Sequence, residues 1–303
     1  KMFKGFLLLF ISFLIFGAAS SSQDDDYSNG PWRKSLDSCW SDPSCKRVMT
    51  CAHGGEWNVT YPYDSFPAME NAWNDGADAV KGDFRVANDS VGVVMHSSPV
   101  LAYESLNCYG KYVEQMTSDE CHQCQMEVTD YTFMKVPDFL AWAGEKVNVM
   151  FCVKESTDIP RAITTLIENN ATNRAFLEVH VDDLLQLEIN QVPHWDEVYY
   201  VAEAKSKSNF ESMLVASETM KKRAILLEFS DWEDWEGIEE DVKAAESAGY
   251  RSFAATKDNA LAATVNNHLK LYNTGFDVAY TYNLTNAVIA RKQINEKNGI
   301  SPP

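Results

Sequence analysis

Short apolar, β-branched runs alternate with amphipathic runs along most of this chain. A run with a period of two, or a brief fully apolar run, is typical of a strand, whereas a period near 3.6 is typical of a helix. By these periods the chain has predicted strands at 47–52, 79–86, 91–96, 147–154, 175–181, 197–203, 224–229, 252–256 and 278–281. The predicted helices are 64–75, 137–143, 159–168, 182–189, 209–222, 237–248, 260–272 and 286–295.

The ends of several helices carry recognisable signals. Asp64 or Ser65 is a suitable N-cap for the first helix, and Gly76 lies just past its end. Gly249 closes the helix at 237–248 in the same way, because glycine adopts the left-handed conformation that ends helices. These signals support the element boundaries independently of the apolar pattern.

If the hairpin-like strand at 91–96 belongs to the second unit, the chain contains eight strand–helix units. Strict alternation with short connections predicts a parallel sheet, and eight such units predict closure into an α/β (β/α)8 TIM barrel. A doubly wound open sheet is the alternative. Residues 97–136 lack a regular period and contain three cysteines, so we interpret them as a Cys-containing insertion after the second unit.

The N-terminus has the layout of a secretory signal peptide. Lys1 and Lys4 precede an apolar run at 6–16, and small residues follow at 17–20. The apolar run is too short to span a bilayer about 30 Å thick. We therefore predict a signal peptide at 1–20, a linker or arm at 21–44 and the TIM barrel at 45–303, with a secreted or lumenal location. No stable membrane span is expected after cleavage.

The seven cysteines fit an oxidising compartment. Within the cluster of Cys108, Cys121 and Cys124, a disulfide is favoured over zinc, since no second ligand pair occurs at a matching spacing. The odd count leaves at least one free thiol, and we expect it at Cys51 or Cys152. Four Asn-X-Ser/Thr sequons, at Asn58, Asn88, Asn170 and Asn283, are compatible with a secreted glycoprotein.

The formal net charge is −18. Such a charge argues against nucleic acid as a partner, because binding to phosphate backbones depends on basic surfaces. It does not exclude a small phosphodiester or a lipid headgroup, since the mouth of a barrel can be locally cationic.

Candidate catalytic residues follow from the barrel geometry, because TIM-barrel active sites lie at the carboxyl ends of the strands. Two histidines at these ends can exchange protons near neutral pH, and lysines can neutralise an anionic oxygen. Structural ion pairs between lysines and carboxylates are the alternative interpretation. The side chains at the predicted strand ends are His53, Lys81, Asp83, His96, Cys152, Lys154, Glu178, His180, Glu203 and Glu228.

The order of these residues resembles the glycerophosphodiester phosphodiesterase family. That family reads Ala-His-Arg-Gly, Pro-Glu-Asn-Thr, a helix, Gly-Ala-Asp with a Glu-X-Asp pair, and His-Asp. The corresponding stretches here are Ala52-His53-Gly54-Gly55, Pro62-Tyr63-Asp64-Ser65, Gly76-Ala77-Asp78, Lys81-Gly82-Asp83 and His96-Ser97. Cys152-Val153-Lys154 corresponds to a later Glu-X-Lys strand, and 275–281 looks like the final strand. The resemblance covers about 48–295.

The resemblance implies roles for individual residues. In the family two histidines act as acid and base, and three carboxylates hold a divalent cation. It therefore implies that His53 and His96 are catalytic, that Lys154 contacts phosphate and that Asp83 is the retained metal carboxylate. Lys81 and Cys152 replace the other two carboxylates, and Gly54 replaces a phosphate-binding arginine.

Three hypotheses follow. In the first, the Lys81 ammonium replaces the metal, as a cationic side chain does in the similar barrels of bacterial phosphatidylinositol-specific phospholipases C, and no cofactor is needed. In the second, Mg²⁺ or Ca²⁺ binds at shifted ligands, with Asp83 joined by Glu178, Glu203 or Glu228. In the third, the barrel is catalytically inactive and binds a phosphate, a lipid headgroup or a protein partner.

Further side chains are predicted to bind substrate. They include Lys154, already named as a phosphate contact, and Glu178 and His180, which lie together at the end of another strand. Trp57 belongs to the segment 57–63 that follows the first strand and overhangs the mouth, and Trp232 lies in the loop 231–235 after the sixth strand of the barrel. Packing of the loop tryptophans on a neighbouring helix is the alternative.

Overall fold

The computed structural model describes residues 35–58, 60–126, 129–144, 146–230, 232–255 and 263–300. The strands are β1 (Met49–His53), β2 (Ala79–Val86), β3 (Gly92–Val94), β4 (Met134–Lys135), β5 (Asn148–Val153), β6 (Ala175–His180), β7 (Tyr199–Ala204), β8 (Leu226–Phe229), β9 (Arg251–Ala255) and β10 (Val278–Thr281). The helices are α1 (Phe66–Asn74), α2 (Ser118–His122), α3 (Val136–Ala143), α4 (Ile159–Glu168), α5 (Val181–Ile189), α6 (Lys207–Leu214), α7 (Glu218–Arg223), α8 (Ile238–Ser247), α9 (Val265–Thr274) and α10 (Leu284–Lys297).

Eight parallel strands close into a barrel. They pair in the order β1, β2, β5, β6, β7, β8, β9 and β10, and β10 pairs back with β1. The closure confirms the predicted (β/α)8 barrel and excludes the open doubly wound sheet. The short strands β3 and β4 extend the end of β2 in antiparallel fashion, so the hairpin-like strand belongs to the second unit.

One predicted helix is wrong. Instead of a single helix at 209–222, the chain forms α6 and α7 with a break between them. The Ser217 hydroxyl begins the second helix by accepting a hydrogen bond from the Met220 backbone N–H at 3.0 Å. The apolar period continues across the break, so the pattern alone could not locate it. The predicted helix at 260–272 is observed as α9, and its first residues lie outside the described residues.

The N-terminal segment closes the lower end of the barrel. Leu36 and Trp40 are fully buried within the interior cluster, and the Trp40 ring packs on Phe176 with 5.4 Å between centroids. The buried Arg251 guanidinium donates to the Cys39 carbonyl at 2.5 Å and holds this segment in place. Leu36 and Trp40 therefore attach the segment 35–44 to the barrel as members of its core. The predicted signal peptide and the first part of the predicted linker lie outside the described residues.

The insertion has a small core of its own. It lies between the β2–β3 hairpin and α3, and thus inside the second unit rather than after it. A disulfide joins Cys108 to Cys124, as the cluster predicts, and buried Met126 and Phe133 pack in the same cluster. A second disulfide joins Cys39 to Cys45, while Cys51, Cys121 and Cys152 are free thiols.

Among the helices of the described ranges, none is both long enough and apolar enough to cross a membrane.

Candidate active site

The carboxyl ends of the barrel strands surround a cavity of about 870 Å³. Alternation along each strand directs every second side chain into this space, which is why residues two apart reach it together. Its lining includes the predicted site residues His53, Lys81, His96, Cys152, Lys154, Glu178, His180, Glu203 and Glu228, together with Tyr63, Tyr280 and Tyr282.

The centre of the site is one carboxylate between two ammonium groups. Lys81 forms an ion pair with Asp83, its neighbour two residues along β2, and both side chains are fully buried. Lys154 Nζ approaches Asp83 Oδ1 from the end of β5 at 2.7 Å. The Tyr63 hydroxyl accepts from Lys81 at 2.8 Å and donates to Asp83 at 2.9 Å.

All three central groups are charged. Burial alone would raise the pKa of Asp83, but Lys81 and Lys154 outweigh it and hold that pKa well below its usual range. Burial likewise opposes the charge of Lys81, yet the Asp83 carboxylate keeps the pKa of Lys81 well above its usual value. Two positive charges thus face one negative charge, and the group keeps a net charge of +1.

His53 lies at the end of β1 between two tyrosines. Its ring stacks on Tyr280 and leans against Tyr282, with centroids 4.2 and 4.1 Å apart. Nε2 lies 3.5 Å from the Tyr282 hydroxyl, and buried Nδ1 has no hydrogen-bond partner within the described ranges. Burial, followed by repulsion from Lys81, lowers the pKa of His53 well below 6.5, so the imidazole is neutral and able to accept a proton.

His96 follows β3 and is more accessible, with 44% of its side chain exposed. Nδ1 lies 3.1 Å from the Ser97 hydroxyl and 3.8 Å from Glu104 Oε1. Glu104 is anchored because it accepts hydrogen bonds from the backbone N–H groups of Ser97 and Leu101. Burial lowers the pKa of His96, while the Asp83 carboxylate acts in the opposite direction.

The mouth is also lined by Glu178, Glu203 and Glu228. Burial raises the pKa of Glu228 well above its usual value and also raises the pKa of Glu178. One carboxyl oxygen of each is buried without a hydrogen-bond partner in the described part of the chain. Glu203 accepts from the Ser230 hydroxyl and pairs with Lys205. His180 lies at the rim, where its ring accepts from the Asp182 backbone N–H at the start of α5.

These residues do not fit a divalent cation. Such an ion needs several oxygen ligands, but the oxygens of Asp83 already bind Lys81, Lys154 and Tyr63. Nowhere in the described part of the chain do three or more His, Cys, Asp or Glu side chains form a group that could hold a metal ion. The hypothesis of shifted ligands therefore lacks a suitable ligand set in these ranges.

Gly54 stands where the family that the sequence resembles has a phosphate-binding arginine. Its φ is +71°, and a Cβ atom at this position would lie only 2.1 Å from the Tyr63 ring. The Tyr63 ring thus occupies the space that the side chain of an arginine would enter. An arginine at position 54 would therefore require the Tyr63 ring to move.

Trp232, which the sequence analysis predicts to bind substrate, is not among the residues that line the main cavity. Only 3% of the residue is exposed, and its indole N–H donates to the Ala255 carbonyl at 2.8 Å. The ring packs on Phe276, so the alternative of structural packing holds. Trp57 does not line the main cavity either; it lines an adjoining cavity that shares Tyr63 and His96 with it.

Three site residues escaped the sequence analysis. Asp64 accepts from the Asp83 backbone N–H at 3.2 Å, and its place in the Pro62–Ser65 motif could have indicated it. Tyr282 directly follows β10, so its position at a strand end was a usable signal. Glu104 lies in the insertion, where no periodic pattern indicates which side chains turn toward the barrel.

Comparison with known proteins shows the fold. No family model and no curated protein sequence matches the chain. A glycerophosphoryl diester phosphodiesterase from Parabacteroides distasonis is similar in structure, with a TM-score of 0.69, 15% identity, and 86% of this chain and 93% of that chain covered. A phosphodiesterase from Oleispira antarctica, solved with the product sn-glycerol-3-phosphate, has a TM-score of 0.65, 15% identity, and 80% and 96% coverage.

A glycerophosphodiester phosphodiesterase from Thermotoga maritima gives a TM-score of 0.60 at 17% identity, with 81% of this chain and 98% of that chain covered. These proteins share nearly the whole barrel with this chain but few of its residues. The resemblance seen in the sequence is therefore confirmed at the level of the fold: the chain has the barrel architecture of the glycerophosphodiester phosphodiesterases.

Proposed function

We propose that the chain is a secreted phosphoric diester hydrolase that acts on a glycerophosphodiester or phospholipid-type substrate. His53 and His96 supply acid–base catalysis, and Lys81 stands in place of the usual metal. The observation that carries the proposal is the convergence of His53, His96, Lys81 and Lys154 on one cavity, where both lysines contact the carboxylate of Asp83.

The two lysines have different tasks. The side chain of Lys81 is only 1% exposed, whereas that of Lys154 is 20% exposed and lines the mouth. Lys81 neutralises Asp83, which leaves the charge of Lys154 available to a phosphate oxygen. Without Lys81, the Asp83–Lys154 pair would be neutral, and the site would lose the positive charge that stabilises the pentacoordinate phosphorus.

The histidines divide the proton transfers. Neutral His53 removes the proton of the nucleophile, which is water or a substrate hydroxyl beside the phosphate. His96, which faces the Glu104 carboxylate, donates a proton to the leaving oxygen as its bond to phosphorus breaks. Attack by water gives a phosphomonoester and an alcohol, whereas attack by the substrate hydroxyl gives a cyclic phosphate and an alcohol.

Secretion rests on separate support. The two disulfides, Cys39–Cys45 and Cys108–Cys124, are compatible with an oxidising compartment. Localisation of the full chain in an expressing eukaryotic cell, with and without residues 1–20, tests this part. Retention of the full chain in the cytosol would contradict it.

Phosphorus NMR tests the enzymatic proposal. The purified chain is incubated with glycerophosphodiesters, lysophospholipids and phosphoinositides, with and without a chelator. We expect turnover that persists in chelator and falls by about 10²–10⁴-fold in His53→Ala or His96→Ala. His194→Ala is the matched control, because His194 is exposed and pairs with Glu197 away from the mouth. Loss of turnover in chelator would contradict the metal-independent mechanism.

A second function is favoured by the near-complete burial of Lys81. The buried Lys81–Asp83 ion pair is out of reach of a substrate, but the accessible Lys154 is sufficient to bind a phosphate or a lipid headgroup without cleaving it. Titration with inorganic phosphate distinguishes this case. Binding that depends on Lys154, together with no turnover of any diester, would identify a binding barrel.

A further inference from the structure

A second cavity, of about 340 Å³, opens directly beside the mouth of the barrel. It shares Tyr63 and His96 with the main cavity, so the two spaces meet at the proposed acid. Its apolar walls include Trp57 on the first loop and Met126 and Phe133 in the insertion, and its polar lining residues include Asn58, Asp64 and Glu104. A group attached to a phosphate in the mouth would extend into this space.

The walls of this second cavity are largely apolar. Met126 and Phe133 are held in the core of the insertion, each only 2% exposed. Trp57 meets Tyr63 edge to face, with 5.9 Å between centroids. Two buried polar atoms of lining residues, Trp57 Nε1 and Asp64 Oδ1, have no hydrogen-bond partner among the residues that the structure describes. Apolar walls with a few polar groups are typical of small-molecule sites.

The insertion that forms part of this cavity also exposes apolar side chains. Six of the ten large hydrophobic side chains that are exposed in the described ranges belong to the insertion. Isolated exposed hydrophobic residues are ordinary, but a concentration in one segment marks an interaction site. These side chains are Leu101, Tyr103, Leu106, Tyr109, Tyr112 and Tyr131. Tyr103 both lines the cavity and is 61% exposed, so it connects the cavity to this surface.

We propose that the second cavity binds the apolar substituent of the substrate, and that the substrate is an amphiphilic phosphodiester with a single hydrocarbon chain. The inference rests on the proposed function, because it assigns the phosphate to Lys154 and the leaving oxygen to His96. The volume is near the lower end of the range for ligand sites, about 300–1,000 Å³, which suits one chain rather than two.

The length of the hydrocarbon chain provides the test. Each methylene transferred from water into an apolar site contributes about 0.8 kcal/mol, which corresponds to about a fourfold rise in kcat/KM. Lysophosphatidylcholines with acyl chains of increasing length, each kept below its critical micelle concentration, should show this rise in kcat/KM until the cavity is filled. A water-soluble glycerophosphodiester without a chain should be the poorest substrate. Equal kcat/KM across the series would overturn the inference.

A pair of variants localises the effect. Tyr103→Ala removes one wall and should lower kcat/KM for the longer chains by about tenfold, while the chainless diester changes little. Tyr109→Ala is the matched control, since Tyr109 is an equally exposed tyrosine of the insertion that does not line the cavity. An equal loss in both variants would contradict the assignment of the cavity.

Binding measurements separate the inference from the proposed function. Calorimetric titration with alkylphosphonates of increasing chain length, which carry a P–C bond and no ester bond to cleave, needs no turnover. Dissociation constants that fall with chain length, without cleavage of any diester, would support the apolar site and contradict catalysis. Turnover with no dependence on chain length would support catalysis and contradict the apolar site.

Discussion

Lys154 and Asp83 meet across the neighbouring strands β2 and β5, with 2.7 Å between Nζ and Oδ1. Lys81 contacts the same carboxylate from within β2. Two ammonium groups thus share a single buried carboxylate. In the family that the sequence resembles, three carboxylates hold a divalent cation instead. The positive charge is supplied by the chain itself, which makes the site independent of metal availability in the proposed mechanism.

The shared carboxylate should dominate the stability of the barrel mouth. Asp83→Asn leaves the buried Lys81 ammonium and the partly exposed Lys154 ammonium without a counter-charge, and it should lower the free energy of unfolding by about 3–5 kcal/mol at pH 7. Lys81→Met should cost less, because Asp83 keeps its pair with Lys154. Urea unfolding of both variants measures the difference. A larger loss for Lys81→Met would show that the carboxylate is not the organising group.

Two substitutions should create a divalent cation site at the mouth of the barrel. Asp83 and Cys152 are paired neighbours on β2 and β5, so Lys81→Glu with Cys152→Glu places two added carboxylates beside Asp83. We expect this double variant to bind Mg²⁺ or Ca²⁺ in calorimetric titration, since hard cations prefer several oxygen ligands. The double glutamine variant at the same positions is the neutral control. Equal binding by the unchanged chain would contradict the proposed role of Lys81.

The pH dependence of kcat/KM should be shifted to the acidic side. Its limbs report the free enzyme's base and acid, and the pKa values of His53 and His96 are both lowered from 6.5. Above these values His96 loses the proton it must donate, so the optimum should lie below pH 6.5. Lys81→Met removes a repelling charge and should raise the pKa of His53, moving the acidic limb upward. An optimum above pH 7 would contradict this division of roles.

Glu56 should make stability depend on pH. Burial raises its pKa from 4.5 to about 7, although its hydrogen bond from the Leu284 N–H acts in the opposite direction. Between these values the folded chain keeps a proton that the unfolded chain releases, so stability falls as pH rises from about 4.5 to 7. Glu56→Gln should remove this loss and stabilise the chain by about 1 kcal/mol at pH 8, a value reduced for partial exposure.

Urea unfolding at pH 4 and pH 8 checks the effect of Glu56→Gln. The variant and the unchanged chain should differ more at pH 8 than at pH 4. Glu70→Gln, an exposed change on α1, is the control for replacing a glutamate nearby. A larger difference at pH 4 would reverse the sign and contradict the role of burial.

Regular structure was predictable because it depends on local periods. The ranges of β2, α4 and β10 agree with the predicted ones residue for residue. The two-residue period also placed Lys81 and Asp83 on one face, since side chains of a strand alternate between its two sides. The break between α6 and α7 was missed because the cap at Ser217 interrupts an apolar pattern that continues through it.

The sequence by itself determined the eight strand–helix units and the group of His53, Lys81, Asp83, His96 and Lys154 at the mouth, because a parallel barrel collects its strand ends. Only the tertiary structure decided that Trp232 is buried and that Trp57 borders a second cavity. Their positions depend on contacts between distant segments, above all the insertion joined by Cys108–Cys124. Irregular segments have no repeating period, so the side chains they turn toward the barrel are set by packing and by long-range cross-links rather than by local pattern.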